Sequence, residues 1–228
     1  YLPKSLSAVF SISQNGILAY QGGTGIEMSQ LTWFDRSGHP IETVGPPADY
    51  NRPRLSHRGD RLAVDITDTQ TGSTDIWILD LSRHTRSRFT FNTANDFRAL
   101  WSPADDRIVF TSNPKGPADL YLKAATGSGG EEILLASSAF KVASDWSSDG
   151  RFILFQNIDP KLNTGMDVFV LSVSDRKASA LLQSAFDEIH GQFSPDTRWV
   201  AYTSNESGRN EVYVQPFPAT GAKYQMKH

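Results

Sequence analysis

The sequence predicts an all-β fold of tandem four-stranded antiparallel sheets, and three observations carry that prediction. A serine preceded by a large apolar residue recurs at Ser13, Ser56, Ser102, Ser147 and Ser194, at spacings of 43, 46, 45 and 47 residues. Short apolar segments alternate with turns rich in Gly, Pro, Asp and Asn, which is strand punctuation. No stretch carries a helical 3.6-residue period of useful length. A repeat of ~45 residues built from such segments is the pattern of propeller blades. The predicted class is therefore a β-propeller of four-stranded antiparallel blades, five of them in this chain. One domain spans 1–228, with blades at roughly 8–48, 49–94, 95–138, 139–184 and 185–228.

Each blade is justified strand by strand. The apolar residue before the serine (Ile12, Leu55, Trp101, Trp146, Phe193) lies on an innermost strand and packs between blades. Three residues after the serine comes a turn position, Gly16, Gly59, Asp105, Gly150 or Thr197. Glycine belongs there because a tight hairpin demands positive φ, so Thr197 is predicted to be strained. The second strand follows, centred on Tyr20, Val64, Phe110, Phe155 or Tyr202, and its near-continuous apolar character implies burial on both faces. Third strands are read at 29–35, 74–80, 118–124, 166–172 and 210–216. All but the first open on an acid (Asp75, Asp119, Asp167, Glu211), expected to hydrogen-bond neighbouring backbone as scaffolding. Last strands fall in "PIETVG", "SRFTF", "EEILLA", "SALLQ" and "AKYQM". Small residues three before the serine (Pro53, Ala99, Ser144, Gly191) suit a place where strands crowd round a central axis.

Composition removes several function classes. A net charge of -3, with 22 scattered Lys and Arg, argues against nucleic acid and against a polybasic membrane patch. The absence of cysteine removes disulfides, thiolate catalysis and Cys-type zinc sites. No apolar run approaches the roughly 20 residues of a membrane span, so no direct insertion of this segment is expected. The opening "YLPKSLSAVF" has no signal-peptide pattern and reads as the start of an excised segment.

"WSPADDRIVF", "WSSDGRFILF" and "FSPDTRWVAY" resemble the repeat of the TolB-like (WD40-like) β-propellers, W-S-P-D-G followed by alternating apolar residues, each with one or two departures. The resemblance covers essentially the whole chain. "FDRSGHPIETVG", "RLAVDITDTQTGSTDIWILDL" and "GQFSPDTRWVAYTSNESGRNEVYVQPFP" look more narrowly like the propeller region of bacterial, acidobacterial-type transmembrane serine/threonine kinases. That likeness implies a propeller in the periplasm or otherwise outside the cytoplasm, tethered to a cytoplasmic kinase. Family propellers usually have six blades. Either a sixth is missing here, which would leave two open blade faces and favour self-association, or five blades close by themselves.

Candidate chemistry is sparse. Kinase elements are missing, as is a G-x-S-x-G elbow, and the five repeated serines serve turns. "TGSGG" and "QGGTG" read as strand connections. His39, His57 and His84 fall in turns, and no histidine has metal-ligand spacing. Asp65, Asp68 and Asp75 lack the order of a calcium loop. The expectation is a non-catalytic binding module without cofactor or metal. Its partner, a protein or peptide, would meet the polar loops entering the innermost strands at the channel rim. Those loops carry Asn51, Arg52 and Arg54, then Asp96 and Arg98, then Lys141 and Asp145, and finally Asp187, His190 and Gln192. The alternatives are a TolB-like cell-envelope scaffold and the propeller of a prolyl-oligopeptidase-like peptidase whose hydrolase domain lies elsewhere.

Overall fold

The computed structural model describes residues 10–12, 18–20, 28–114, 116–162 and 164–226. Ser13, Gly16 and the "QGGTG" segment lie outside the described residues. The chain divides into two compact units, Tyr1–Ala99 and Leu100–His228. Every regular element among the described residues is a strand, and none of them forms a helix long and apolar enough to cross a membrane.

In the first unit, β1 (Phe10–Ile12), β2 (Leu18–Tyr20), β3 (Ser29–Phe34), β4 (Pro40–Leu55), β5 (Arg61–Thr67), β6 (Thr74–Asp80) and β7 (Thr85–Arg88) pair in sequence order. β8 (Asp96–Trp101) runs across the unit boundary and joins β9 (Arg107–Ser112), β10 (Asp119–Ala124) and β11 (Glu132–Leu135). The second unit continues with β12 (Phe140–Trp146), β13 (Phe152–Ile158), β14 (Asp167–Ser172) and β15 (Ala178–Leu182). Its last sheet is β16 (Glu188–Phe193), β17 (Trp199–Ser204), β18 (Glu211–Pro216) and β19 (Tyr224–Gln225). All register pairs are antiparallel, and each of the three four-stranded sheets runs in chain order from innermost to outermost strand. The fold is a β-propeller of four-stranded blades.

One boundary differs from the reading of the sequence. The predicted last strand of the first blade and innermost strand of the second are a single strand, β4. Residues 40–48 pair with β3, and residues 49–55 pair with β5. Three prolines, at 46, 47 and 53, disguise this continuity. Pro46 and Pro47 fall where the β3 register shifts between Ser29↔Ala48 and Leu31↔Val44, so they displace no ladder bond there. Gly45 is required at the same shift: its φ is +66°, and a Cβ would sit 2.9 Å from the Tyr50 hydroxyl. That hydroxyl is buried and donates to the Pro46 carbonyl at 2.6 Å. The last strand of the second blade is β7, ending at Arg88, so Phe89, Thr90 and Phe91 lie beyond it.

The repeated serine is explained by four equivalent hairpins. Its N–H donates to the carbonyl five residues on, and its carbonyl accepts the N–H three residues on, as in Ser102 with Arg107 and Asp105 (2.9 and 2.8 Å). Its hydroxyl accepts the N–H of the fifth residue (Arg61, Arg107, Phe152, Trp199) and donates to a nearby aspartate. That aspartate is four residues on in two blades (Asp60, Asp106) and two residues on in the others (Asp149, Asp196). The same network, with the Ser194 hydroxyl and Arg198, pulls the Asp196 carboxyl down to about 2. The turn position is left-handed in all four hairpins: Gly59 at 72°, Asp105 at 58°, Gly150 at 75° and Thr197 at 58°.

Second strands bury both faces, as the apolar runs require. β5, β9 and β13 are buried along their centres. Of the apolar residues before the serines, Leu55, Trp146 and Phe193 pack against the core clusters, and Trp101 is itself buried. β17 departs from this. Val212 on β18 is 44% exposed, whereas Ile76, Leu120 and Val168 at the same repeat position are 0% exposed. Val212 and Trp199 share the face turned away from Leu154 and Val168.

Thr197→Gly is expected to stabilise the protein. A β-branched residue in the left-handed region costs roughly 1–2 kcal/mol, partly offset by the greater freedom of glycine when unfolded. The Thr197 hydroxyl bonds to Ser148 at 3.2 Å, and Ser148 keeps a second partner in the Pro195 carbonyl at 2.7 Å. Thermal unfolding should show a rise of roughly 2–4 °C for a gain of about 1 kcal/mol. A fall would mean that the turn does not carry this strain.

Candidate functional site

The innermost strands are bulged near their starts. Pairing skips between Asn51 and Arg54 on β4, between Ala143 and Asp145 on β12, and between Ile189 and Gln192 on β16. Three residues standing four before the repeated serine are left-handed: Arg52 at φ 49°, Arg98 at 57° and His190 at 58°. Non-glycine residues in this conformation are uncommon and concentrate at functional positions. Bulges re-aim side chains, and here they re-aim basic ones.

At Gly191 the residue after the bulge is small because of the preceding sheet. A Cβ on Gly191 would lie 3.0 Å from Val168 Cγ1 and 3.4 Å from Leu154 Cδ1. The constraint at this site is thus the face of the previous blade, not crowding at an axis.

A side chain on the preceding second strand also takes a main-chain N–H at this repeat position. Asp65 on β5 receives the Arg98 N–H on both oxygens, at 3.1 Å each. Thr111 on β9 receives the Ala143 N–H at 3.4 Å. These two acceptors occupy one repeat position, nine after the serine. Asp65 is fully buried, and its other neighbour is the Arg52 guanidinium, with Nη1 3.5 Å from Oδ2. Desolvation pushes the Asp65 carboxyl up to about 6, against the pull of the Arg98 N–H and of Arg52. Burial, together with the like charges of Arg52 and Arg54, brings Arg98 down to about 10, while Asp65 acts the other way. Arg98 therefore remains charged at neutral pH. One buried carboxylate thus meets the guanidinium of Arg52 and the main chain of Arg98.

The other sequence candidates take varied places. Asn51 is half-buried and donates to Asp49. Asp96 is wholly buried at the start of β8. Lys141 is also buried, its Nζ donating to Asp119 and to the Ala139 carbonyl, both at 2.7 Å. Asp145 accepts the Phe193 N–H at 2.7 Å. Asp187 accepts the Met166 N–H at 2.9 Å and the Asn205 amide at 3.2 Å. His190 and Gln192 are exposed, and Arg54 is half-buried. His39, His57 and His84 are exposed, as read from their turns. Among the described residues, no three His, Asp or Glu side chains converge as a metal site.

The acids that open the third strands scaffold mainly through side chains rather than backbone. Asp75 holds Arg88 at 2.8 Å, and Asp119 holds Lys141 and the Ser137 N–H. Asp167 Oδ2 holds Thr164 and Gln183, and Glu211 holds Arg209 and Gln225.

Asp119–Lys141 reveals what differs between Asp167 and Glu188. Lys141 and Glu188 both stand six before the serine and are anchored alike, by N–H bonds to the Ala118 and Met166 carbonyls at 2.9 and 2.6 Å. Where one sheet junction has a lysine facing an aspartate, the next has a glutamate. Asp167 Oδ1 and Glu188 Oε2 are buried with no hydrogen-bond donor among the described residues. Burial, and after the opposing Ser184 bond the charge of Asp167, raises the Glu188 carboxyl above its usual range.

The family model for the TolB beta propeller domain matches residues 41–166. The putative TolB of Agrobacterium tumefaciens is similar in structure, with a TM-score of 0.77 and 19% identity over 96% of this chain and 79% of that one. TolB of Acinetobacter baumannii gives 0.71 and 21%, over 88% of this chain and 49% of its own. A prolyl endopeptidase gives 0.71 and 13%, over 97% of this chain but only 36% of its own. At these identities the solved structures establish the fold alone.

Two substitutions test the electrostatics. The raised folded pKa of Asp65 means that folded protein binds its proton more tightly than unfolded chain does. Its contribution is therefore full below the ordinary value of 3.8 and is lost as pH rises towards about 6. In Asp65→Asn this dependence disappears. The stability of wild type relative to the variant should fall by up to about 3 kcal/mol between pH 4 and pH 7 in urea titrations. A constant difference would place the carboxylate in water. Glu188→Lys should rebuild the Lys141–Asp119 pair against Asp167 and stabilise the protein by roughly 1–2 kcal/mol. An unchanged or lower midpoint would show that the two junctions are not equivalent.

Proposed function

Because the chain belongs to the TolB beta propeller domain family, we propose that it is a non-catalytic module that binds a protein or peptide ligand through the bulged ends of its innermost strands. The observation that carries this reading is the recurrence of left-handed, basic residues, Arg52, Arg98 and His190, at one repeat position. The scaffold maintains a strained conformation there in three separate blades, and exposed polar residues such as Gln192 lie beside it. A protein or peptide offers backbone and side-chain groups that match such mixed donors, and binding residues commonly sit where a rigid scaffold ends in loops.

The kinase-like segments at 34–45, 61–81 and 191–218 support placing this module outside the cytoplasm, as the sensor or interaction region of a bacterial serine/threonine kinase. Ligand occupancy would then be relayed to the kinase. A second reading is favoured by the prolyl endopeptidase similarity: the same fold would restrict access to a hydrolase domain encoded elsewhere in the parent protein. The coding sequence on either side of these 228 residues separates the two. Kinase catalytic motifs and a helix of about 20 apolar residues support the sensor. An α/β-hydrolase pattern with G-x-S-x-G supports the peptidase.

Binding itself is tested with peptides selected from a random phage-displayed library on the purified protein. Their affinity should fall at least about tenfold, or roughly 1.4 kcal/mol, in a variant with Arg52, Arg54 and His190 all replaced by Ala. Selected peptides that bind this variant unchanged would overturn the assignment of the surface.

A further inference from the structure

We infer that the junction between β14 and β16 is a calcium site, with Asp167 and Glu188 as its two carboxylate ligands. The site lies wholly within the second unit and does not rest on the proposed binding role.

The other acids that open third strands each meet a basic side chain. Asp75 pairs with Arg88 at 2.8 Å, Asp119 with Lys141 at 2.7 Å, and Glu211 with Arg209. Asp167 instead has the neutral Thr164 hydroxyl and Gln183 amide, at 2.9 and 3.1 Å, both on Oδ2. At the repeat position of Lys141 stands Glu188. The bond from its N–H to the Met166 carbonyl brings it beside Asp167, just as the Lys141 N–H bond to Ala118 brings the lysine beside Asp119.

Both carboxylates are buried, Asp167 at 0% and Glu188 at 3% exposure. One oxygen of each is held in place, since Glu188 Oε1 accepts the Ser184 hydroxyl at 2.5 Å. The other oxygen, Asp167 Oδ1 or Glu188 Oε2, meets no donor among the described residues. Lys223, which also acts on Glu188, is bonded to Glu206. Two like charges buried side by side without a cation are costly.

The preceding junction shows what such a place holds. Lys141 Nζ donates to Asp119 Oδ1 and to the Ala139 carbonyl at 2.7 Å each, and to the Ser137 carbonyl at 3.4 Å. A cation is therefore bound there by one carboxylate and two main-chain oxygens. The corresponding main-chain oxygens beside Glu188 belong to Phe186 and Ser184. Exchanging lysine for glutamate removes the internal cation and leaves two negative charges, which one divalent ion neutralises. Asn157 is buried and pairs directly with Asp167 across β13 and β14, so it stands on the same face as a further oxygen donor. Carboxylate and carbonyl oxygens in an irregular set suit calcium, which tolerates flexible geometry, over magnesium, which demands a regular octahedron and keeps its waters. Thr164, Gln183 and Ser184 orient the carboxylates from outside, as partners of metal ligands do.

The test uses the whole chain, stripped of divalent ions by a chelator, at neutral pH. Thermal unfolding and titration calorimetry are run with calcium, magnesium and potassium chlorides. Calcium should raise the midpoint saturably, by roughly 5–10 °C at a hundredfold excess over its Kd. E188Q and D167N, which keep shape but remove charge, should each weaken calcium binding at least about tenfold. E188K supplies the cation from the chain itself, so its midpoint should exceed that of calcium-free wild type and ignore added calcium. No calcium-dependent rise would overturn the site, leaving water or a shared proton to satisfy the pair. A rise that persists in E188K or in both charge-removing variants would also overturn it, as would magnesium or potassium binding as tightly as calcium.

Discussion

The fold depends on how the start of each innermost strand is held by the sheet before it. A bulge frees a main-chain N–H, and a buried N–H without an acceptor costs roughly 1–3 kcal/mol. Asp65 and Thr111 supply the acceptor from one repeat position, on β5 and β9. Asp145 supplies a related bond to Phe193 from an innermost strand. Packing follows the same junctions. Gly191 lies tight against Leu154 and Val168, and Val200 completes that cluster. A four-stranded sheet is too thin to exclude water by itself, so these junctions are where burial and polar satisfaction are achieved together.

Against this scaffold, departures from the repeat carry the information about function. The hairpin serine performs the same task in four blades, and its bonds vary only in which aspartate it meets. Three other positions do not repeat in chemistry. The bulge residue is Arg, Arg, Ala or His. The residue six before the serine is Tyr50, Asp96, Lys141 or Glu188, all four buried. The acceptor on the second strand is a carboxylate once, at Asp65. Natural proteins depart from local stability rules mainly at sites kept for other reasons. Asp65 among its arginines and Glu188 against Asp167 are such departures.

Much of the architecture was legible in the sequence because it rests on short-range chemistry. The serine, the turn residue three later and the apolar second strand lie within one hairpin, and the left-handed φ of Gly59, Asp105, Gly150 and Thr197 follows directly. The continuity of β4 was hidden because prolines normally end strands, and only the register shift at Gly45 makes Pro46 and Pro47 tolerable. The left-handed conformations of Arg52, Arg98 and His190 gave no signal of their own. Their trace was the small residue that follows each, and at Gly191 its cause is a neighbouring sheet. Lys141 and Asp96 look in sequence like exposed loop charges, and their burial depends on tertiary partners such as Asp119. Asp65 stood out only as a possible calcium ligand, although comparing it with Thr111 nine residues after the serine marks it as unusual.

The most direct measurement of the central claim is native-state hydrogen exchange of the Arg98 amide in Asp65→Ala, with the Ala143 amide as internal reference. If the side chain of the preceding second strand holds the bulge, the Arg98 amide should exchange at least about tenfold faster relative to Ala143 than in the wild type. An unchanged ratio would mean that the bulge N–H is held by something else, and that the junction between sheets does not work as described.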